Sequence, residues 1–453
     1  MHNPRDLRGM EVLVVGLART GIAVAQFLSN RGVKVVGSDI RGRDVLERES
    51  PDLRNLNIEL HAGGSGAERF LHVDLIILSP GVPPSVPPLV KARERGIPIV
   101  SEIELASWFV TAPIVAVTGT NGKTTTTRLI GEMLQKAGKK VFVGGNIGNP
   151  LVNLVDSDRE MDVAVTELSS FQLEAIEKFR PAIAVLLNLT EDHLDRYATF
   201  EAYVEAKSRL FVNQSFSDVS VLNAGDRTVQ RAAAPSRARK VYFNIPPDGK
   251  EGAFCDGRRI TVRRIGNDEV YDLQRTRLTG IHNIENMMAA IVTARLCGCP
   301  TDPVQQTLES FNGLPHRLEF VMEVEGIRYF NDSKATNVGA VVKSLQTFPG
   351  PVILIAGGKD KGGDYAPLRE PVKKRVKLLI LIGEAKARME RELSGAAPIV
   401  TADSLQGAVK QAYREARPGD TVLLSPSGSS FDMFRDYVER GDTFKALVKE
   451  LKG

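Results

Sequence analysis

The chain of 453 residues is poor in several things at once. It has three cysteines, Cys255, Cys297 and Cys299. An odd number, with two of them only two positions apart, argues against a disulfide framework, and neither a CxxC pair nor a His/Cys cluster with zinc spacing occurs. A reducing compartment is the expectation. Excess charge is also lacking: 59 Lys plus Arg against 55 Asp plus Glu leave +4. So small a surplus speaks against a nucleic-acid coat or a polybasic membrane anchor, while leaving room for an anionic substrate held by a few local charges. No apolar run approaches the roughly 18 residues needed to cross a bilayer. The opening MHNPRDLRGMEVLVVG runs into a glycine turn and reads as a first strand, not a signal peptide. A soluble cytoplasmic protein is expected, without nucleic-acid binding or membrane insertion. Repeats and low-complexity tracts are absent too. At 42% hydrophobic and 25% charged residues the composition is that of an ordinary globular chain.

What is present is alternation. EVLVVG (11–16), a helical pattern over 20–30, VKVVGSD (33–39), DLIILSPG (74–81), a helix to Arg95 and IPIV (97–100) form one block. Strands alternating with helices imply βαβ units and parallel sheets. A second block begins at APIVAVTGTNGKTTTT (112–127) and continues through DVAVTEL (162–168), AIAVLLNLT (182–190) and VSVLNAGD (219–226). Residues 241–279 alternate in short charged runs and predict a small antiparallel region. NIENMMAAIVTARLCG (283–298) carries apolar residues near helical spacing and ends at Gly298 and Pro300. FNGLPHR (311–317) breaks the periodicity. A third α/β block follows, with PVILIAGG (351–358), VKLLILIG (376–383), a helix over 404–415 and DTVLLSPS (420–427). Three consecutive α/β domains are predicted: 1–100, 101–313 and 314–453.

The richest segment is VTGTNGKTT (117–125), a strand, a glycine loop, a lysine and a threonine opening a helix. Gly119 and Gly122 let backbone N–H groups turn toward an anion, and the helix N-terminus adds a positive dipole end. Lys123 can reach phosphate oxygens and the Thr124 hydroxyl can ligate Mg²⁺. Val117 and Thr118 stand where the usual Walker pattern has its earlier glycine. Gly16-Leu17-Ala18-Arg19-Thr20-Gly21 is a weaker fingerprint, with Ala18 at the second glycine of a dinucleotide turn and Asp39 ending the next strand.

GTNGKTT resembles the ATP loop of the Mur ligases and folylpolyglutamate synthases. Further segments match the same superfamily: ELSSFQLE (167–174), NLTEDHLD (188–195), EAK (205–207), GIHN (280–283) with Asn286, and LPHRLE (314–319). NDSKATN (331–337) most resembles the Mur branch that adds D-glutamate. The match spans all three blocks. It implies a Rossmann-like N-terminal domain for the UDP part of the substrate, a P-loop ATPase-like centre and a Rossmann-like C-terminal domain for the amino acid.

The resemblance also implies a reaction. ATP would turn the carboxylate of UDP-N-acetylmuramoyl-L-alanine into an acyl phosphate, which the amine of D-glutamate attacks through a tetrahedral intermediate. The catalytic set it implies is Lys123, Glu167, His193 and Lys207. Two Mg²⁺ sites are expected from Thr124, Glu167, His193 and Lys207, the last as a carbamate. Without the resemblance, Lys207 would read as a surface helix lysine pairing with Glu201 or Glu205. The implied ATP set is Gly119, Thr120, Asn121, Gly122, Lys123, Thr124, Thr125, Asn283, Asn286, Arg317 and Asp332. For the UDP substrate it is Arg19, Thr20, Asp39, Arg41, Ser79, Asn146, Ser169, Gln172 and His193; Asn146, Ser169 and Gln172 could equally be spent on turns and capping. For D-glutamate it is Lys334, Thr336, Lys361 (or Lys359 after a small slip), Ser430, Phe431 and Tyr437. A monomer is expected. A nicotinamide dehydrogenase would use the N-terminal fingerprint but leaves GTNGKTT unexplained. A nucleotide sensor without catalysis predicts loss of Glu167, His193 or Lys207, and all three are present. Another Mur or folate ligase is the nearest rival.

Overall fold

The computed structural model describes residues 6–451 apart from 147, 157–159, 195, 250, 265, 266, 279 and 361. Among the described residues the strands form three sheets, one per sequence block. The first holds β1 (Glu11–Val15), β2 (Lys34–Ser38), β3 (Glu59–His61), β4 (Leu75–Leu78) and β5 (Ile99–Ser101) in the order β3-β2-β1-β4-β5, all parallel. The order reverses beside β1, which opens a crevice at the strands' C-terminal ends.

The second sheet holds β6 (Ile114–Thr118), β7 (Val141–Gly145), β8 (Val163–Glu167), β9 (Ile183–Leu186), β10 (Val219–Asn223), β11 (Arg239–Phe243), β12 (Gly252–Cys255), β13 (Arg259–Arg264) and β14 (Asn267–Asp272). Its order is β14-β13-β12-β11-β10-β9-β6-β8-β7. It is parallel from β7 to β12 and antiparallel over β12–β14, where the sequence pattern changes. β6 and β8 are buried along their whole length. Helices cover both faces of such a sheet, so its strands read as continuous apolar runs.

The third sheet holds β15 (Glu319–Val324), β16 (Ile327–Asn331), β17 (Val352–Gly357), β18 (Val376–Ile382), β19 (Ile399–Thr401) and β20 (Thr421–Ser427) in the order β15-β16-β20-β17-β18-β19. Only β15 is antiparallel to its neighbour. Sequence patterning missed β3, β15 and β19. All three are edge strands, two of them three residues long, with half-exposed side chains and hence little apolar signal. It also missed the last helix, Tyr437–Glu450, which Asp436 caps by accepting from Glu439 N at 2.9 Å.

The first two domains share one hydrophobic cluster running from Leu7 to Ala233. Two buried acidic side chains on the helix Glu102–Ser107, which directly follows β5, fasten that helix to the central domain. Glu104 accepts from the backbone N–H of Glu177, Lys178 and Phe179 and from Trp108 Nε1. Glu102 accepts from Val152 N at 2.7 Å. The third domain has its own clusters on the two faces of its sheet. It meets the central domain through polar side chains around the phosphate loop. The three cysteines are free thiols. Among the described residues, no helix is long and apolar enough to cross a membrane.

Candidate active site

β6 delivers the chain into the loop Gly119–Gly122, and the helix Lys123–Lys136 leaves it. Gly122 has φ +87°, and a Cβ there would lie 2.1 Å from Asn286 Oδ1. Both the backbone conformation and the close approach require glycine. Asn188 braces the loop from beneath: its Oδ1 accepts from Asn121 N at 2.8 Å and its Nδ2 donates to Asn121 O at 3.0 Å. Thr120 Oγ1 accepts from Thr190 N and from the Tyr203 hydroxyl. Lys123 Nζ donates to the carbonyls of Gly119 and Thr120, so the ammonium lies inside the curl of the loop.

Glu167, the last residue of β8, is 2% exposed. Its Oε1 accepts from Asn146 Nδ2 at 3.0 Å, while Oε2 is buried without a hydrogen-bond partner. A buried carboxylate oxygen left so is expensive unless something positive meets it. His193 has φ +57°; its ring meets Phe171 edge-on at 4.8 Å, and Nε2 lies 3.8 Å from Asp192 Oδ2. Lys207, on the helix Phe200–Ser208, is 2% exposed, which corrects the surface-lysine reading. Its Nζ approaches Thr118 Oγ1 at 3.4 Å and lies 4.9 Å from the Tyr203 ring centroid. Burial, and then the charge of Lys123, push its ammonium well below the usual lysine range, against the pull of Asp192 and Glu167.

Asn121, Gly122, Thr125, Asn283, Asn286, Arg317 and Asp332 line one narrow cleft of about 60 Å³ between the central and C-terminal domains. Arg317 Nη2 donates to Thr124 Oγ1 at 2.7 Å across that gap. Asp332 is buried, accepts from the hydroxyls of Ser344 and Ser425 and from Leu318 N, and is pushed up to about 6 by burial. Sequence reasoning missed His282 and Lys343 in this cleft. Burial holds the His282 imidazole down to about 4, so it is neutral at pH 7. Lys343 pairs with Glu285 at 3.0 Å. Lying six positions beyond NDSKATN, Lys343 carried no sequence signal of its own.

A second cavity of about 390 Å³ adjoins, lined by Asp192, His193, Thr336, Asn337, Tyr365 and Ser427 among others. Of the residues expected to hold D-glutamate, Thr336 lines this cavity. Lys334 Nζ sits 3.7 Å over the Tyr437 ring, and Ser430 is buried. Phe431 is 69% exposed, and so forms no wall in this arrangement. Lys361 lies outside the described residues. Ser427, whose hydroxyl is buried without a partner, was not selected from the sequence, because its φ of +67° at a serine has no local signature.

In the first domain, a Cβ on Gly21 would lie 1.9 Å from Gly16 O, and Ser79 Oγ donates to that same carbonyl at 2.6 Å. Asp39 is buried and accepts from Leu17 N and from both the backbone and guanidinium of Arg41. Burial works to raise its carboxyl, but these bonds hold it below the usual range. Thr20 is half-buried on the same turn. Arg19 reaches across to Gly148 O at 3.1 Å, joining this turn to the loop that carries Asn146. Ser169 and Gln172 form a reciprocal capping box on the helix Ser170–Leu173, and Gln172 is 1% exposed. The structure thus gives these two the capping role that the sequence left open.

Three family descriptions match along the chain: a Mur ligase MurD-like N-terminal domain over 10–101, a Mur ligase middle domain over 117–294, and a Mur ligase glutamate ligase domain over 316–428. The chain belongs to the Mur ligase family, whose members perform ATP-dependent amide ligation in peptidoglycan precursor synthesis. Among curated relatives it is 50% identical to the UDP-N-acetylmuramoylalanine–D-glutamate ligase of Geotalea daltonii, covering 99% of each chain. It is also 50% identical to the ligase of the same name from Geotalea uraniireducens, covering 98% of each. Solved structures agree on the fold. MurF from Acinetobacter baumannii superposes with a TM-score of 0.63 at 16% identity, over 100% of this chain and 92% of that one. UDP-N-acetylmuramate–alanine ligase MurC from Thermotoga maritima does so with 0.59 at 20%, over 98% and 100%.

Proposed function

We propose that this protein adds D-glutamate to UDP-N-acetylmuramoyl-L-alanine at the expense of ATP, releasing ADP and phosphate. The observation that carries the reading is the group beneath the phosphate loop. Lys123, the unpartnered Glu167 oxygen and the buried Lys207 amine converge there, with His193 beside them. The domains are read as 1–100 for the UDP substrate, 101–313 for ATP and 314–453 for the amino acid.

The residues lining the cleft suit ATP: Gly122 brings the loop against Asn286, and Asp332 and Arg317 face it from the third domain. The donors also fit Mg²⁺: hydroxyl, carboxylate and imidazole groups, one carboxylate oxygen being buried with no other partner. Thr124, Glu167, His193 and carbamylated Lys207 would hold the ions, which supply charge neutralisation at phosphoryl oxygens. Lys207 suits the carbamate because a buried amine forced toward its neutral form can add CO₂, which turns a misplaced cation into an anion.

The substrate carboxylate oxygen attacks the γ-phosphorus and ADP leaves. The D-glutamate nitrogen then attacks the acyl carbon, and phosphate departs from the tetrahedral intermediate. Lys123 stabilises charge on the moving phosphoryl group and Arg317 closes on it from the third domain. Arg19, Thr20, Asp39, Arg41 and Ser79 form the UDP end, and Asn146, bonded to Glu167, marks the way to the reacting carboxylate. Lys334, Thr336, Lys361, Ser430 and Tyr437 lie in the segments that would present D-glutamate. All these residues come from one chain, so a monomer suffices, and a cytoplasmic location follows from ATP and a UDP-linked substrate.

The test is phosphate release from ATP and Mg²⁺ with UDP-N-acetylmuramoyl-L-alanine, comparing D-glutamate with L-glutamate, L-alanine, meso-diaminopimelate and no amino acid. Release that depends on D-glutamate, with the UDP-muramoyl dipeptide as product, is expected. Release with a different amino acid, or none at all, overturns the assignment.

A further inference from the structure

Asn337 stands where three parts of the molecule meet. It is the N-cap of the helix Val338–Thr347, with Oδ1 accepting from Ala340 N at 2.9 Å. Its Nδ2 donates to Asn121 Oδ1 in the phosphate loop at 3.2 Å and to Asp192 Oδ2 at 3.1 Å. Asn121 Nδ2 returns a bond to Asn337 Oδ1 at 3.4 Å. The side chain is 8% exposed. One amide thus serves its own helix and two segments of the central domain. A primary amide combines two donors with an acceptor, whereas aspartate lacks the donors and serine lacks the reach.

Its partners are themselves fixed. Asn188 braces the backbone of Asn121 on both sides, and Asp192 Oδ1 accepts from His193 N at 3.0 Å. A shift of Asn337 would therefore be felt at the phosphate loop and at the His193 turn together. The next residue back, Thr336, lines the cavity shared with His193. The other polar ties across this gap, Lys343–Glu285 and Arg317–Thr124, involve charges that act over several ångströms. The hydrogen bonds of the Asn337 amide are short-ranged and directional, so they set register.

We propose that Asn337 is a positioning residue: it registers the C-terminal domain against the phosphate loop and the His193 turn, so that the amino acid is aligned with the acyl phosphate. This rests on the ligase reading given above.

The variant that isolates this role is Asn337→Ser, which keeps a good helix cap but is too short to reach Asn121 or Asp192. Asn121→Ala removes the partner and leaves the cap alone. In the full-length protein each should melt close to wild type. Each should lower kcat and raise KM for D-glutamate, with a combined loss of about 10- to 100-fold, the range expected for misplacing reacting groups by an ångström. The double variant should be no worse than the poorer single one, because both break the same joint. Small-angle scattering should show a larger radius of gyration for each variant. Wild-type kcat and KM in Asn337→Ser, or losses that multiply in the double variant, would overturn the proposal. If the wild-type protein fails to ligate D-glutamate, the ligase reading fails separately. Scattering then decides on the joint: expansion supports it, and unchanged dimensions refute it.

Discussion

Replacing Gly122 with alanine tests how the phosphate loop and the nucleotide cleft depend on each other. Two penalties can be worked out. The residue has φ +87°, and holding an L-residue there costs about 1–2 kcal/mol. The new Cβ would lie 2.1 Å from Asn286 Oδ1, so Asn286 must turn away. That breaks its 3.4 Å bond to Asn283 Oδ1, worth about 0.5–1 kcal/mol at such a length. The total is about 1.5–3 kcal/mol, or a fall in melting temperature of roughly 3–12 °C for a domain of this size. Because Asn286 also lines the cleft, KM for ATP should rise about 10-fold, the effect of one lost hydrogen bond of about 1.4 kcal/mol. Gly138→Ala is the control. Gly138 ends the same helix with φ +82°, but nothing lies within 4 Å of its would-be Cβ. It should lose only the backbone part and bind ATP normally. The assays are thermal melting and phosphate release across an ATP titration. Equal melting losses in the two variants, with wild-type KM for ATP in both, would refute the reasoning.

Three further outcomes follow from the same structure. Lys123→Ala and Glu167→Ala should each cut turnover at least about 100-fold while leaving circular dichroism unchanged, and near wild-type ligation by either would remove its assigned role. A crystal grown with bicarbonate and Mg²⁺ should show planar carbamate density at Lys207 Nζ; a bare ammonium in a salt bridge would contradict it. Glu102 is fully buried, and desolvation pushes its carboxyl up from the ordinary value of 4.5 to about 7. Its folded value lies above its unfolded one, so its contribution is complete below pH 4.5 and is lost as pH rises through about 7. The upper bound is about 3 kcal/mol at 1.36 kcal/mol per unit. Glu102→Gln keeps an acceptor for Val152 N and should flatten this slope, making the variant relatively more stable at pH 8 than at pH 5.5. An equal change in melting temperature at both pH values would show that Glu102 does not titrate this way.

The clear elements were those whose cause is local. Strands buried on both faces, such as β6, β8 and β17, must be continuous apolar runs, and they read as such. The edge strands β3, β15 and β19 did not, because half their side chains face water. Asn283 and Asn286, one turn apart, were legible from GIHN with Asn286, and they do share the cleft. His282 lies within that motif, but its sequence context assigns it no role. Its neutrality arises from burial, and no neighbour in sequence reports it. Lys207 could be read either as a surface lysine or as a metal-site residue, since the helical pattern alone does not say which face is covered.

Gly119, Gly122, Lys123 and Thr124 were decided by sequence, because a glycine turn between a strand and a helix N-terminus makes an anion site out of consecutive backbone groups. The three α/β blocks were decided in the same way, by the period of their apolar residues. Tertiary structure alone decided the rest of the site. Arg317 reaches Thr124 across 193 positions, Asn337 reaches Asn121 across 216, and Glu104 ties the helix after β5 to donors 73 to 75 residues away. Hydrogen bonds and burial act over a few ångströms, and only packing brings such residues within that range.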